Sequence, residues 1–341
     1  MCKKSAGIIT LYASQNFGAF LQGFAMQTTL QKLGYDTEFI KYSRLDIHEF
    51  LFMIKTKNIK LIYFRLCQFK KYIESRNMLN IAFKKYAGEH KDAVIVGSDT
   101  LWDVQNPTIK SSTYYLGKGL NSENIVAYAP SANSTTAKDF FEHYGEGNLF
   151  FEFKAIGVRD ENTANLVAEI SGEIPEVVLD PTFLLNKENY PVVNPKVKEK
   201  YILVYGYSFN QEEQQAIKKY ARLIGAKIIS VGLLNTWCDK NVTATVSEFL
   251  GYIESSECVF TSTFHGTIFS VIMEKNFVTY ARSNYKILDL LNKFKLNSRN
   301  GSNDVKNSMD ILKAVPDYTK VKNSIADLRS KSLKFLKDNL N

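Results

Sequence analysis

Short apolar runs that stop abruptly at polar residues constrain this chain more than any other feature. Ala93-Val94-Ile95-Val96 runs into Gly97-Ser98-Asp99, and Ala155 to Val158 runs into Arg159-Asp160. Ile125 to Ala129 gives way to Pro130-Ser131, and Val177 to Leu179 gives way to Asp180-Pro181-Thr182. Unbroken apolar runs of this length, without polar alternation, suit strands buried on both faces of a parallel sheet. Parallel strands need crossovers, and helical patterns lie between the runs. The chain opens with a strand over Gly7 to Leu11 and a polar loop over Ala13 to Gly18. A helix then runs from about Ala19 to Leu33, is stopped by Gly34, and leads to a strand over Thr37 to Ile40.

The second half repeats the pattern. Strands are predicted over Tyr201 to Tyr205, Lys227 to Val231, Cys258 to Thr261 and Phe277 to Tyr280, with a helix from about Gln211 to Leu223 stopped by Gly225. With 341 residues, 45% of them hydrophobic, the chain is too long for one ordinary core and suits two. Pro191 and Pro195 interrupt the pattern between the halves. The expected fold is α/β, with two Rossmann-like doubly wound domains at 1–190 and 191–341, the second ending in helices. The basic, aromatic stretch over 45–86 reads as a helical insertion packed on the first domain. Its competing reading is contact with an anionic membrane or a lipid-linked sugar.

Charge narrows the partners. The net charge is +8, which suits nucleic acid, an anionic membrane surface or a small polyanion. No nucleic-acid-binding module is recognisable, so nucleic acid is not expected. Cys2, Cys67, Cys238 and Cys258 are scattered, without a CxxC pair or a histidine cluster, so neither a disulfide framework nor a zinc site is expected. No stretch reaches the roughly 18 apolar residues of a spanning helix. A soluble cytoplasmic protein is expected, with at most peripheral contact with the inner face of a membrane.

Candidate site residues fall where strands meet polar loops, the edge at which open α/β sheets gather ligands. In Thr261-Ser262-Thr263-Phe264-His265-Gly266 a strand passes through hydroxyl residues into a helix. A helix start of this kind holds phosphate or carboxylate, so Ser262, Thr263, Gly266 and His265 are candidate anion-binding residues. A buried histidine beside a cap would give the same string. Arg159, Arg282 and Lys286 lie at or near strand ends, where a guanidinium suits carboxylate and phosphate. Asp99 with Trp102 suits a sugar, the carboxylate taking hydroxyls and the indole covering the C–H face; a turn aspartate beside a core tryptophan fits equally. Asn16 and Gln22 are candidates for a neutral polar ligand. Neither a G-x-G-x-x-G nor a P-loop pattern is present, which disfavours classical dinucleotide or P-loop nucleotide binding.

Six blocks, taken in order, resemble the polysaccharide pyruvyl transferase family. They are Gly7-Ile8-Ile9-Thr10 with Asn16-Phe17-Gly18 and Leu21-Gln22; Gly97-Ser98-Asp99-x-x-Trp102; Ala127 to Ser131; Gly157-Val158-Arg159-Asp160; Leu179-Asp180-Pro181-Thr182; and Ser262 to Gly266. The resemblance implies two Rossmann-like domains facing a cleft, as in GT-B glycosyltransferases. It implies phosphoenolpyruvate as donor substrate, no cofactor or metal, and a functional His265. On that basis His265 and Asp99 are the expected catalytic pair. Ser262, Thr263, Gly266, Arg282, Lys286 and Arg159 would bind the donor in a phosphoenolpyruvate-side second domain. Asn16, Gln22, Trp102 and Ser131 would bind an acceptor sugar, free or lipid-linked, in the first. Asp103 departs from the family's usual Asn after the Trp. A nucleotide-sugar glycosyltransferase and a non-catalytic carbohydrate-binding relative are the competing readings.

Overall fold

Each predicted strand pairs in parallel with its neighbours. The computed structural model describes residues 3–12, 14–41, 55–106, 112–302 and 304–340. In chain order the elements begin with β1 (Ser5–Ile9), α1 (Phe17–Lys32) and β2 (Asp36–Phe39). After α2 (Ile59–Ser75) come β3 (Ala93–Val96), β4 (Ile125–Tyr128), α3 (Ala137–Tyr144), β5 (Ala155–Val158), α4 (Glu161–Ser171) and β6 (Glu176–Val177). The second run is β7 (Tyr201–Tyr205), α5 (Gln211–Ile224), β8 (Lys227–Val231), β9 (Lys240–Val242), α6 (Val246–Ser255) and β10 (Val259–Thr261). It continues through α7 (Phe264–Ile272), β11 (Phe277–Thr279), α8 (Tyr285–Lys293), α9 (Val305–Ile311) and α10 (Tyr318–Asn339).

The chain divides into two units. Unit 1 holds Met1–His48, Asn77–Leu185 and Ala326–Asn341; unit 2 holds Glu49–Arg76 and Asn186–Ile325. Two assignments differ from the sequence reading. The helical part of the 45–86 stretch is α2, and it belongs to unit 2, because Gln68, Lys71 and Ser75 hydrogen-bond or ion-pair with residues around the start of α6. Residues 45–54 of that stretch lie outside the described residues. The end of α10 belongs to unit 1, where Phe335 lies against Tyr128 and the Ser332 hydroxyl oxygen accepts the Leu179 N–H at 3.0 Å.

Unit 1 has a six-stranded sheet in the order β2-β1-β3-β4-β5-β6. Its central strands β3 and β4 are buried at every residue, as continuous Val, Ile and Ala runs require. One side of the core holds Trp102, Tyr115, Phe140 and Phe150. Unit 2 has a five-stranded sheet in the order β11-β10-β7-β8-β9. Its core includes Ile202, Val204, Phe260, Ile217 and Tyr280. Both orders are those of doubly wound sheets, in which the strand order reverses beside the first strand. The reversal lies between β1 and β3 in unit 1 and between β7 and β10 in unit 2. Ligands in such sheets bind at the carboxyl ends of the strands flanking the reversal. Among the described residues, no helix is long and apolar enough to cross a membrane.

Candidate functional site

In unit 2 the two strands flanking the reversal end at Tyr205 and Thr261, and Gly206 and Ser262 follow them. Gly206 permits their close approach, since a Cβ there would lie 2.3 Å from Ser262 Oγ. Thr263 caps α7, its hydroxyl accepting the Gly266 N–H at 3.0 Å. Thr261 Oγ1 donates to Tyr205 O at 2.6 Å and receives the Thr263 N–H at 3.1 Å, tying β10 to β7 under the helix start. Gly266 is required by packing: a Cβ there would lie 2.1 Å from Thr261 Oγ1. His265 is the second residue of α7, is 7% exposed, and packs edge-on to Phe264 at 5.3 Å.

The Ser208 carbonyl gathers two of the predicted residues. Ser262 Oγ donates to it at 3.3 Å and Arg282 Nη2 at 3.2 Å, while Arg282 Nη1 reaches Ser208 Oγ at 3.4 Å. Arg282 adopts a left-handed backbone, φ 49°, just beyond β11. Its guanidinium also meets Glu213, with Nε to Oε1 at 3.1 Å and Nη2 to Oε2 at 2.7 Å. Glu213 is 1% exposed and is also the third residue of α5, where Oε2 accepts the Asn210 N–H. Arg282 is therefore a charge already matched by a buried carboxylate. Sequence reading missed Glu213 and Ser208. The Asn210-x-x-Glu213 spacing announces a capping box, but nothing local announces that the same carboxylate holds an arginine 69 residues away. Lys286 lies in the first turn of α8, half-buried, its N–H bonded to Asn284.

In unit 1 most of the candidate acceptor residues have internal partners. Trp102 is fully buried, packs on Phe150 at 4.8 Å and donates its indole N–H to Tyr115 O at 2.8 Å, so it offers no face to a sugar. Gln22 is also fully buried; its amide donates to Thr10 Oγ1 and Ala19 O, and its carbonyl accepts from Ser98 Oγ. Asn16 caps α1, its Oδ1 accepting the Gly18 N–H at 2.8 Å and the Ala19 N–H at 3.3 Å. Ser131 is buried, with its hydroxyl accepting the Asn133 N–H at 3.3 Å. Arg159, assigned to the donor, instead forms a buried ion pair with Asp180 at 3.1 Å within unit 1. Asp103 is internal too, accepting from Asn133 Nδ2 at 3.1 Å and Thr135 Oγ1 at 3.5 Å.

Asp99 keeps a role open. It follows β3 in a left-handed conformation, φ 77°, and is half-buried. One carboxylate oxygen accepts the Thr100 N–H at 2.8 Å. Ser131 N–H donates to the Asp99 carbonyl at 2.8 Å, fixing the loop against the end of β4. Among the described residues, no group of three or more His, Cys, Asp or Glu is placed to hold a metal ion.

Comparison with known proteins agrees with this architecture. The UDP-GlcNAc 2-epimerase of Methanocaldococcus jannaschii superposes with a TM-score of 0.52 at 10% identity, covering 96% of this chain and 99% of its own. The Neisseria meningitidis UDP-GlcNAc 2-epimerase, solved bound to UDP-GlcNAc, gives 0.52 at 9% identity, covering 98% of this chain and 100% of its own. Spinosyn rhamnosyltransferase SpnG gives 0.50 at 9% identity, covering 99% of each chain. These are GT-B-fold enzymes, and at such identities the likeness shows the fold alone: this chain has the GT-B type of α/β fold. No curated protein matches the sequence significantly. The sequence model of the polysaccharide pyruvyl transferase family matches residues 16–284, a span that takes in α1, the strand-order reversal of unit 2 and Arg282. The chain belongs to the polysaccharide pyruvyl transferase family.

Proposed function

We propose that this chain transfers a pyruvyl group from phosphoenolpyruvate to two hydroxyls of a sugar destined for a cell-surface polysaccharide, forming a ketal and releasing phosphate. The observation that carries this reading is that the family match runs through the anion-suited corner of unit 2, so that Ser262, His265 and Arg282 all fall inside it. Phosphoenolpyruvate brings a phosphate and a carboxylate. The start of α7 supplies a partial positive charge, and Ser262 and Arg282 supply donors. The carboxylate of Glu213 limits the net positive charge, so orientation rather than bulk attraction is the role assigned to Arg282.

In the proposed reaction the methylene carbon of phosphoenolpyruvate gains a proton and the adjacent carbon becomes oxocarbenium-like. One sugar hydroxyl adds there. The bond to the phosphate oxygen breaks, and the second hydroxyl closes the ring. Of the two hydroxyl protons, one balances that delivered to the methyl group and one leaves with phosphate. His265 is assigned to proton delivery or to the departing phosphate. Asp99 is assigned to an acceptor hydroxyl, with unit 1 as the acceptor side and unit 2 as the donor side. The acceptor is a free or a lipid-linked sugar.

Calorimetric titration with phosphoenolpyruvate, beside UDP, GDP and CMP, tests the donor. Phosphoenolpyruvate is expected to bind, and Arg282→Gln to weaken it, with circular dichroism checking the fold of the variant. Nucleotide binding without a phosphoenolpyruvate response would replace this reading with a nucleotide-sugar transferase. Once an acceptor is in hand, His265→Ala should lower turnover by at least ~100-fold, the usual scale of an acid–base group. Near-normal turnover would remove His265 from the chemistry.

A further inference from the structure

Helix α2 fully buries polar residues and exposes apolar ones. Its buried residues are Gln68, Tyr72 and Ser75. Gln68 donates to Ala244 O at 2.8 Å and accepts the Ala244 N–H at 3.0 Å; Ser75 Oγ accepts the Val246 N–H at 3.0 Å. Lys71 pairs with Glu248 at 3.4 Å. Polar groups thus fasten the helix to unit 2. The opposite face carries Ile59, Tyr63, Leu66 and Ile73, which are 80%, 71%, 38% and 47% exposed. Their spacing of four, three and seven residues puts them on one stripe. A surface helix normally turns that stripe inward, so an outward one marks an interaction surface.

Charge selects the occupant. Lys70 is exposed and falls within the stripe, and Lys55, Lys57 and Lys60 are exposed around it. On the same stretch Glu74 is the exposed carboxylate. Lysine is depleted at the centre of protein–protein interfaces. At a bilayer surface, by contrast, its stem lies along apolar groups while the ammonium reaches the headgroups.

We propose that α2 docks unit 2 on an anionic lipid bilayer. Ile59, Tyr63, Leu66 and Ile73 enter the boundary between headgroups and acyl chains, and Lys55, Lys57, Lys60 and Lys70 meet lipid phosphates. The proposal stands apart from the pyruvyl transfer reading, and its test uses no substrate, so either can fail alone. Flotation of the full chain with vesicles of phosphatidylcholine, alone or mixed with phosphatidylglycerol, reads the contact directly. Binding is expected to the mixed vesicles, weakly to phosphatidylcholine, and to fall as salt rises. The pair Lys60→Glu and Lys70→Glu should lower partitioning by ~10-fold or more. The pair Leu66→Asp and Ile73→Asp should do the same, while melting temperatures stay at the wild-type value because these positions are exposed. The proposal is overturned by no binding to mixed vesicles at low salt, or by variants that partition like wild type. A wild-type dimer that the aspartate pair splits, without vesicle binding, would overturn it in favour of a second copy of this chain.

Discussion

Arg282 and Glu213 illustrate how one residue pair carries two demands. The guanidinium binds both carboxylate oxygens while its outer nitrogens reach Ser208. Glu213 is 1% exposed, whereas the Arg282 side chain is 46% exposed. Removing the arginine would leave a buried carboxylate without its main partner, which costs more than the pair contributes. Arg282→Ala is expected to lose about 2 kcal/mol of stability. Adding Glu213→Gln should recover part of that loss, because no buried charge is then left behind. Urea denaturation of the two single variants and the double variant checks this; strictly additive losses would show that the two side chains act independently. If the proposed donor site is right, Glu213→Gln alone should strengthen phosphoenolpyruvate binding in the same titration, since it removes a negative charge beside the place assigned to a phosphate dianion.

At the scale of elements, the strand ends are held by hydrogen-bonded latches that resemble binding groups in the sequence. Gln22 of α1 joins Thr10 at the end of β1 to Ser98 at the end of β3. All three are fully buried. Gln22→Ala removes these partners at once and should cost about 2 kcal/mol, as loss of buried, satisfied hydrogen bonds does. Phosphoenolpyruvate affinity should stay unchanged, because the latch belongs to unit 1 and the assigned donor site to unit 2. A large fall in affinity at unchanged stability would reassign Gln22 to the ligand. The helix caps show the same ambiguity. Asn16 and Thr263 are residue types that bind ligands, yet each spends its side-chain oxygen on backbone amides.

Across the whole molecule, the C-terminal helix completes a unit whose sequence begins at the other end of the chain. Phe335 is 4% exposed, lies 6.2 Å from the Tyr128 ring, and sits where a Cβ on Gly157 would be 3.0 Å from it. Leu336 and Leu340 are buried, the Leu340 carbonyl accepts from Tyr35, and Arg329 donates to the carbonyls of Phe183 and Leu185. Phe335→Ala should destabilise unit 1 by about 3 kcal/mol, the usual cost of emptying a buried aromatic position. Limited proteolysis should then cut unit 1 before unit 2. Simultaneous cutting of both would mean that the two units unfold together.

The sequence by itself determined the parallel α/β class, most of the strands, the helix that starts at Phe264 and the family. Those follow from local signals: apolar runs of strand length, caps, glycine stops, and motif blocks that lie along one stretch of chain. β9, with partly exposed residues and no apolar run, left no such signal. Tertiary structure alone decided which polar residues remain available. Trp102, Gln22 and Arg159 have the composition of a binding site, but burial and partners far away in sequence consume them. It also decided that α2 and the end of α10 pack away from their sequence neighbours, and that α2 turns its apolar stripe outward. Periodicity fixes that a helix has two faces; which face is covered depends on the surface that folding brings to it.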